Sequence, residues 1–298
     1  MSEPRSYYGE PVIADPVWTW EIPMYFFTGG LAGASAGLGL AADLTDNKEL
    51  ARRAWSVALG GLALSPALLV SDLGRPARFL NMLRLLKVTS PMSVGSWLLT
   101  VTGGAATFAA ANDLLGLFPR VSRPAKVTAA VLGMPVCTYT ATLISNTAVP
   151  VWHEARKELP FLFGAGAAAS AGAAAAMTTP PRHAGPARRL AVGGAVAEVL
   201  TAQVMEHRLG PLAEAYHADT PHRFSRMANV LTATGAALLA TAGRRRAPAI
   251  VGGALTLAGA LSERWAVFKA GFESAGDPKF TVGPQRERLE RRKARAAA

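Results

Sequence analysis

Carboxyl groups stranded in apolar sequence carry the most chemical information in this chain. Glu198 stands alone inside an otherwise uncharged stretch, 190–205, and Gln203, Glu206 and His207 accompany it towards the end. On a helix Glu198 shares a face with Thr201 or Ala202, and Gln203 shares another with Glu206. A carboxyl in hydrocarbon is costly, and with no cation nearby it holds its proton and can pass it on. Glu198 and Glu206, together with Asp72 at the edge of another apolar stretch, are therefore expected to transfer protons. The structural alternative is a hydrogen-bonded strut between helices.

A second set of residues suits a carbonyl ligand. Tyr139, Thr142 and Asn146 form one polar stripe at helical spacing within the uncharged run 127–152. A phenol hydroxyl can donate to a carbonyl oxygen, as a quinone head group would require. Trp18, Trp20, Glu21 and Tyr25 cluster where the first apolar run begins. The tryptophans read as interfacial anchors, and Glu21, beside Pro23, as a helix cap or a proton acceptor. Tyr139 is therefore the candidate contact for such a carbonyl ligand. Asp72 precedes Arg75 and Arg78, which offers a carboxylate–guanidinium pair at the membrane edge.

Metal chemistry finds little support. The single cysteine, Cys137, excludes a disulfide framework, a cysteine-held zinc and a cysteine-held iron–sulfur cluster within the chain. Of the five histidines only His207 reaches the end of an apolar run. No helix pair offers facing ligands for a haem, so neither haem nor any other metal is expected. Taking part in electron transfer would then require a bound redox molecule and a partner.

These residues need helices to hold them, and the helices need lipid. Half of the 298 residues are apolar and only 17% are charged, against about 25% in ordinary globular proteins. Uncharged or nearly uncharged runs recur at 24–42, 54–71, 91–111, 127–152, 159–181, 190–205, 227–243 and 247–262. Each approaches the roughly 20 residues that a helix needs to cross a bilayer core. Rich in Ala and Gly, they lack the alternation of strands. The expectation is an all-α polytopic membrane protein with eight transmembrane helices. Residues 1–23 form an extramembrane N-terminal segment, 24–268 the transmembrane domain, and 269–298 a basic extramembrane tail that lies against anionic lipid. The N-terminal segment has no basic, then apolar, signal-peptide pattern, so the first span is expected to start insertion itself.

The net charge of +11 borders the apolar runs instead of forming one basic groove, so nucleic acid is not expected as a partner. The short links near 43–53, 112–126, 178–189 and 243–246 are dense in Lys and Arg. That favours them as cytoplasmic and the termini as external, although the cationic tail pulls the other way. Gly29, Gly33 and Gly37 line one face of the first run, and 164–176 is almost entirely small residues. Both suit close helix packing inside a bundle.

The motifs carry a resemblance. Asp72-Leu73-Gly74-Arg75-Pro76-Ala77-Arg78-Phe79, followed by Thr89-Ser90-Pro91-Met92-Ser93-Val94-Gly95-Ser96-Trp97, resembles the NrfD/PsrC family of polysulfide-reductase-type membrane subunits. Trp18 to Gly33 resembles that family's first-helix signature. Tyr139 with Pro150-Val151-Trp152 resembles its fourth-helix region, and 277–289 resembles actinobacterial members associated with formate dehydrogenases. The resemblance implies eight helices in two four-helix bundles in the cytoplasmic membrane. It implies an exchangeable quinone, expected to be menaquinone, near the face where a ferredoxin-like iron–sulfur subunit docks, and a molybdopterin catalytic subunit beyond it. The family's quinone-contacting tyrosine corresponds to Tyr139. Its asparagine at the start of helix one falls at Ile22, so neighbouring Glu21 is expected to replace it, and with the resemblance Tyr139, Glu21, Trp20 and Asp72 are the expected quinone contacts. Arg75, Arg78, Trp152 and His153 are expected to serve docking.

The chain is thus expected to be non-catalytic alone and quinone-reactive within an oxidoreductase complex. One alternative is a passive membrane anchor of that complex. Another is a secondary transporter, which would need helices broken at positions such as Pro66 and Pro135.

Overall fold

The computed structural model describes residues 12–75, 77–115, 119–283, 285, 290 and 293 (the backbone alone at 112–115 and 119). The basic run 286–295, expected to lie against lipid, falls outside these residues apart from Glu290 and Lys293. The long helices are α1 (Glu21–Leu44), α2 (Lys48–Asp72), α4 (Pro91–Leu115), α5 (Pro119–Ser145), α7 (Leu159–Thr178), α8 (Gly185–Leu209), α10 (Asp219–Thr241) and α11 (Arg246–Gly276). Three short helices, α3 (Arg78–Met82), α6 (Pro150–Glu154) and α9 (Glu214–His217), lie in the connections. No strand occurs among the described residues. Four long helices, α2, α4, α5 and α7, contain segments long and apolar enough to cross a membrane.

The expected boundaries shift at both ends. The first helix begins at Glu21, before the uncharged run, and α11 continues past 268 to Gly276. The prolines that a transporter reading would need as breaks, Pro66 and Pro135, lie within continuous helices. Outward faces carry exposed Phe108, Val131, Met134, Leu200, Val204 and Val230. Such a surface fits a lipid solvent, where apolar exterior costs nothing.

Packing runs on small residues, as the composition demanded. Helix α1 packs against α2, α5 and α7, while α4 pairs with α5 and α7 with both α8 and α11. Helix α10 pairs with α11 and also touches α8. At the α1–α5 crossing Gly33 and Gly133 meet backbone to backbone: a Cβ on Gly133 would stand 2.8 Å from the Gly33 carbonyl oxygen. Gly29 and Gly37 have only ordinary contacts, the nearest at 3.8 and 3.7 Å. The α7–α8 contact is equally close, since a Cβ on Gly172 would stand 2.6 Å from the Ala187 oxygen.

Each end of the bundle is tied by polar bonds. At the short-link end Arg188 donates to the carbonyls of Pro181 (2.9 Å) and Gly243 (3.3 Å), and Arg246 donates to Thr179 (3.2 Å). Asn47 donates to the His183 carbonyl at 2.9 Å. Asp43 accepts from the Trp55 indole at 2.9 Å and pairs with Lys126 at 3.2 Å. Cations counted for topology therefore also satisfy carbonyls in and beside the helix ends there. At the opposite end Arg208 bonds the Glu154 carbonyl and the Glu158 carboxylate, joining the links on either side of α7 and α8. Lys279 pairs with Glu214 at 2.9 Å.

Candidate functional site

The first-helix motif, the loop after α2 and the segment after α5 converge at the end of the bundle where Ile13 and Phe280 also lie, the terminal face. The Thr19 backbone N–H reaches the Asp72 carboxylate at 3.3 Å, and its hydroxyl reaches Asp72 at 3.0 Å and also Glu21. One threonine thus links the two carboxylates expected to handle protons. Trp18 stacks on Trp152 with ring centroids 5.7 Å apart. Trp20 is 57% exposed and points away from this cluster's core, as an interfacial anchor would.

Tyr139 lies half-buried on α5, and its ring packs directly over Gly95 of α4. A Cβ at Gly95 would collide with that ring, so the glycine of the Thr89–Trp97 motif makes the floor for the tyrosine. The serines of the same motif pin the loop. Ser93 Oγ donates to the Leu85 carbonyl (3.2 Å) and accepts from Lys87 N (3.0 Å), while Ser90 Oγ accepts from Ser93 N (3.4 Å). Thr142 on α5 and Asn146 in the turn just after it continue the Tyr139 stripe, both exposed.

Sequence reading placed Tyr25 among anchors; the fold makes it a second phenol of the site. Its ring meets Tyr139 edge-on at 6.4 Å. Tyr25 is 1% exposed, and its hydroxyl has no hydrogen-bond partner among the described residues. A buried phenol without a partner is costly, and a ligand carbonyl oxygen that reached its hydroxyl would satisfy it. The donor set therefore fits a quinone head group. Ile22, which stands where the family asparagine falls, is buried at 4% and offers no donor from its side chain. On the outer side of α4, an apolar groove of about 270 Å³ opens between α2 and α4, with Leu62, Pro66, Phe79 and Leu99 in its walls.

The docking set divides. Arg75 and Arg78 are exposed around the tight turn at Gly74, whose φ of +64° favours glycine. Neither arginine pairs with Asp72 among the described residues, because Thr19 takes that carboxylate. His153 is exposed and lines a cavity of about 380 Å³ with Ile13, Glu154, Leu212 and Phe280. Trp152 corrects the docking expectation. It is fully buried, donates its indole N–H to the Val267 carbonyl at 2.7 Å, and fills the space left by Gly271. A residue so enclosed joins α6 to α11 and presents no surface.

Glu198 corrects a second expectation: it does have a cation. Arg264 Nη1 lies 3.7 Å from Glu198 Oε1, and both groups are almost fully buried. Glu263, the residue before Arg264, is buried beside them at 5%. Gly166 of α7 makes the room, since a Cβ there would strike the Glu198 carboxyl and the Arg264 guanidinium. Arg264 also donates from Nη2 to the Phe163 carbonyl at 2.9 Å and lies 4.2 Å over the Phe163 ring. The final uncharged run ended at residue 262, so these two charges read as the edge of a span. The signal was the apolar periodicity that resumes at Ala266, Val267 and Phe268. Glu206 sits half-buried nearer the terminal end, within electrostatic reach of His217 and His222.

Among the described residues no group of His, Cys, Asp and Glu side chains is arranged to hold a metal ion. No curated protein matches the chain. The family model described as polysulphide reductase, NrfD, matches residues 10–210, about two thirds of the length. That span covers the paired carboxylates at Thr19, the Gly95–Tyr139 contact and the small-residue helices, and the chain belongs to the NrfD polysulphide reductase family of membrane subunits of oxidoreductase complexes.

Proposed function

We propose that this protein is the quinone-reactive membrane subunit of a molybdopterin and iron–sulfur oxidoreductase. Its eight long helices all span the cytoplasmic membrane, in two bundles of four joined through α1, α5 and α7. The observation that carries the reading is the Tyr25–Tyr139 pair: one phenol sealed and unpartnered, the other half-open beside an exposed polar stripe. A quinone, menaquinone in the first instance, reaches this pair from lipid, with its isoprenoid chain in the apolar groove along α4.

Tyr139 and Tyr25 orient the head group by donating to carbonyl oxygen, and Glu21 and Asp72 exchange protons with water at the terminal face. Thr19 holds those two carboxylates on one side of the site. A ferredoxin-like iron–sulfur subunit docks on the same face, over Arg75, Arg78 and His153, and connects the site with the molybdopterin subunit. A formate-linked complex is the reading that the 277–289 segment favours. Convergence of Trp18, Asp72 and Trp152 at one end supports a common docking and quinone face.

The test uses the intact complex. Tyr139→Phe and Tyr25→Phe each remove one donor, and each is expected to lower quinone-linked turnover about tenfold to a hundredfold, the worth of a hydrogen bond in a dry site. Turnover with an artificial dye at the catalytic subunit is expected to stay unchanged. Unaltered quinone-linked turnover in both variants, with no competition from a quinone analogue, would leave the chain a passive anchor.

A further inference from the structure

The charged cluster around Glu198 lies away from the two phenols. Between Arg264 and Tyr139 stand Phe163, Phe26 and Tyr25, with Phe26–Phe163 centroids 5.6 Å apart and Tyr25–Phe26 centroids 6.3 Å apart. Protons held at the cluster are therefore separate from those at Glu21 and Asp72.

Three features define it. First, the polar groups are unfinished: both carboxyl oxygens of Glu198, Nε and Nη1 of Arg264 and the Thr232 hydroxyl are buried without a hydrogen-bond partner among the described residues. Second, a cavity of about 10 Å³ lies between Glu198, Glu263, Thr232 and Asn229, the size and polarity that hold one water. Third, the charges do not balance. The charged groups facing this site are Glu198 and Glu206 from α8, Glu263 and Arg264 from α11, and His217 and His222 from α9 and α10. The Tyr216 hydroxyl of α9 and the Cys137 thiol of α5 complete the titratable set; α7 contributes none. Deep in the cluster one guanidinium meets two carboxyl groups. An apolar interior resists the extra negative charge, so the Glu198–Glu263 pair retains one proton, which belongs to the pair and not to either residue.

The cluster also has a way out. Glu206 is within electrostatic reach of Glu263 and of the stacked imidazoles of His217 and His222, whose centroids are 6.2 Å apart and whose side chains are exposed. Tyr216, buried and with an unpartnered hydroxyl, lies within reach of both Glu206 and Glu263. These neighbours lead from Glu198 toward the terminal face.

We propose that Glu198 and Glu263 form a proton-loading site with Arg264 as counter-ion, filled from the terminal face through His217, His222 and Glu206. In the inward step an imidazolium N–H bond breaks and a carboxyl O–H bond forms at Glu206. The Glu206 proton then passes through the Tyr216 hydroxyl or water to Glu263, and across the enclosed water to Glu198. The imidazole recovers its proton from bulk water, and the proton that the pair already held leaves by the same groups in reverse, so the exchange is one for one and moves no electrons. The site is independent of where quinone binds and rests only on α8 and α11 crossing the membrane.

Infrared spectroscopy of the full-length protein in lipid nanodiscs tests this without quinone or partner subunits. At neutral pH the wild type is expected to show the C=O stretch of a protonated carboxylic acid, and that band is expected to shift in D₂O. Glu198→Gln and Glu263→Gln, which keep side-chain shape, are each expected to remove or displace it. A His217→Ala, His222→Ala double variant is expected to keep the band and slow its D₂O shift at least tenfold. The proposal is overturned by a wild-type spectrum without such a band or with one that never exchanges. A band that both glutamine variants leave intact overturns it too, and unchanged exchange in the histidine variant removes the route.

Discussion

Single residues here are informative mainly through what encloses them. Tyr139 was legible as chemistry because a phenol inside an uncharged run has few dull explanations, but its partner Tyr25 was not, because one aromatic among Trp18, Trp20 and Phe26 reads as an anchor. Only the edge-on contact and the unpartnered hydroxyl distinguish it. Tyr216, in the link between α8 and α10, gives a prediction at this scale. Burial, then Glu263 and Glu206, hold its hydroxyl well above the ordinary phenol value of 10.0. A group with a raised folded-state value contributes stability that is whole below its unfolded value and is lost as pH climbs through and beyond it. Stability should therefore fall as pH rises past about 10, and Tyr216→Phe should flatten that alkaline decline. Unfolding midpoints of the two proteins across an alkaline pH series decide the matter; parallel curves would show that Tyr216 contributes nothing to it.

Helices in this chain meet where side chains are missing. Without a hydrophobic drive between helices in lipid, contact rests on backbone approach and dispersion. The spacing of Gly29, Gly33 and Gly37 foretold a packing face on α1, yet it did not say which glycine stands at the crossing. Gly33 does, against Gly133. Gly33→Ala must push α1 from α5 and is expected to destabilise the protein by about 1–3 kcal/mol, as overpacking does. Gly37→Ala meets only the flexible Met134 side chain at 3.7 Å and should be near neutral. Thermal unfolding in detergent, run side by side, checks the contrast; equal losses would mean that helix propensity, not the crossing, sets the effect. Gly166 belongs to the same class but serves charge, because its missing Cβ leaves space for Glu198 and Arg264.

At the scale of the molecule the two ends differ in kind. One end has short links, three of them stapled by Arg188, Arg246 and Asn47 to backbone carbonyls, and the other carries the longer loops and the polar sites. The eight-span arrangement proposed above would place these ends on opposite sides of the bilayer. The native Cys137 is buried, so a cysteine introduced elsewhere reports alone. In sealed vesicles a membrane-impermeant thiol reagent should reach Glu49→Cys from one side only and Asp219→Cys from the other. Labelling of both from the same side would contradict the eight-span topology. Reagent reaching both ends from either side would show that the vesicles leak.

Composition and run length alone determined that this chain is helical and belongs in lipid, because twenty uncharged residues must satisfy their own backbone bonds wherever they lie. Local motifs likewise determined the family and singled out Tyr139, Asp72 and Glu198. Tertiary structure alone decided what each of these meets. Thr19 reaches Asp72 across 53 positions, Trp152 is sealed against α11, and Glu198 finds Arg264 where the sequence seemed to leave the membrane. A charge's meaning in a low-dielectric interior is set by its nearest counter-charge, and that distance is a property of the packed helices, invisible along the chain.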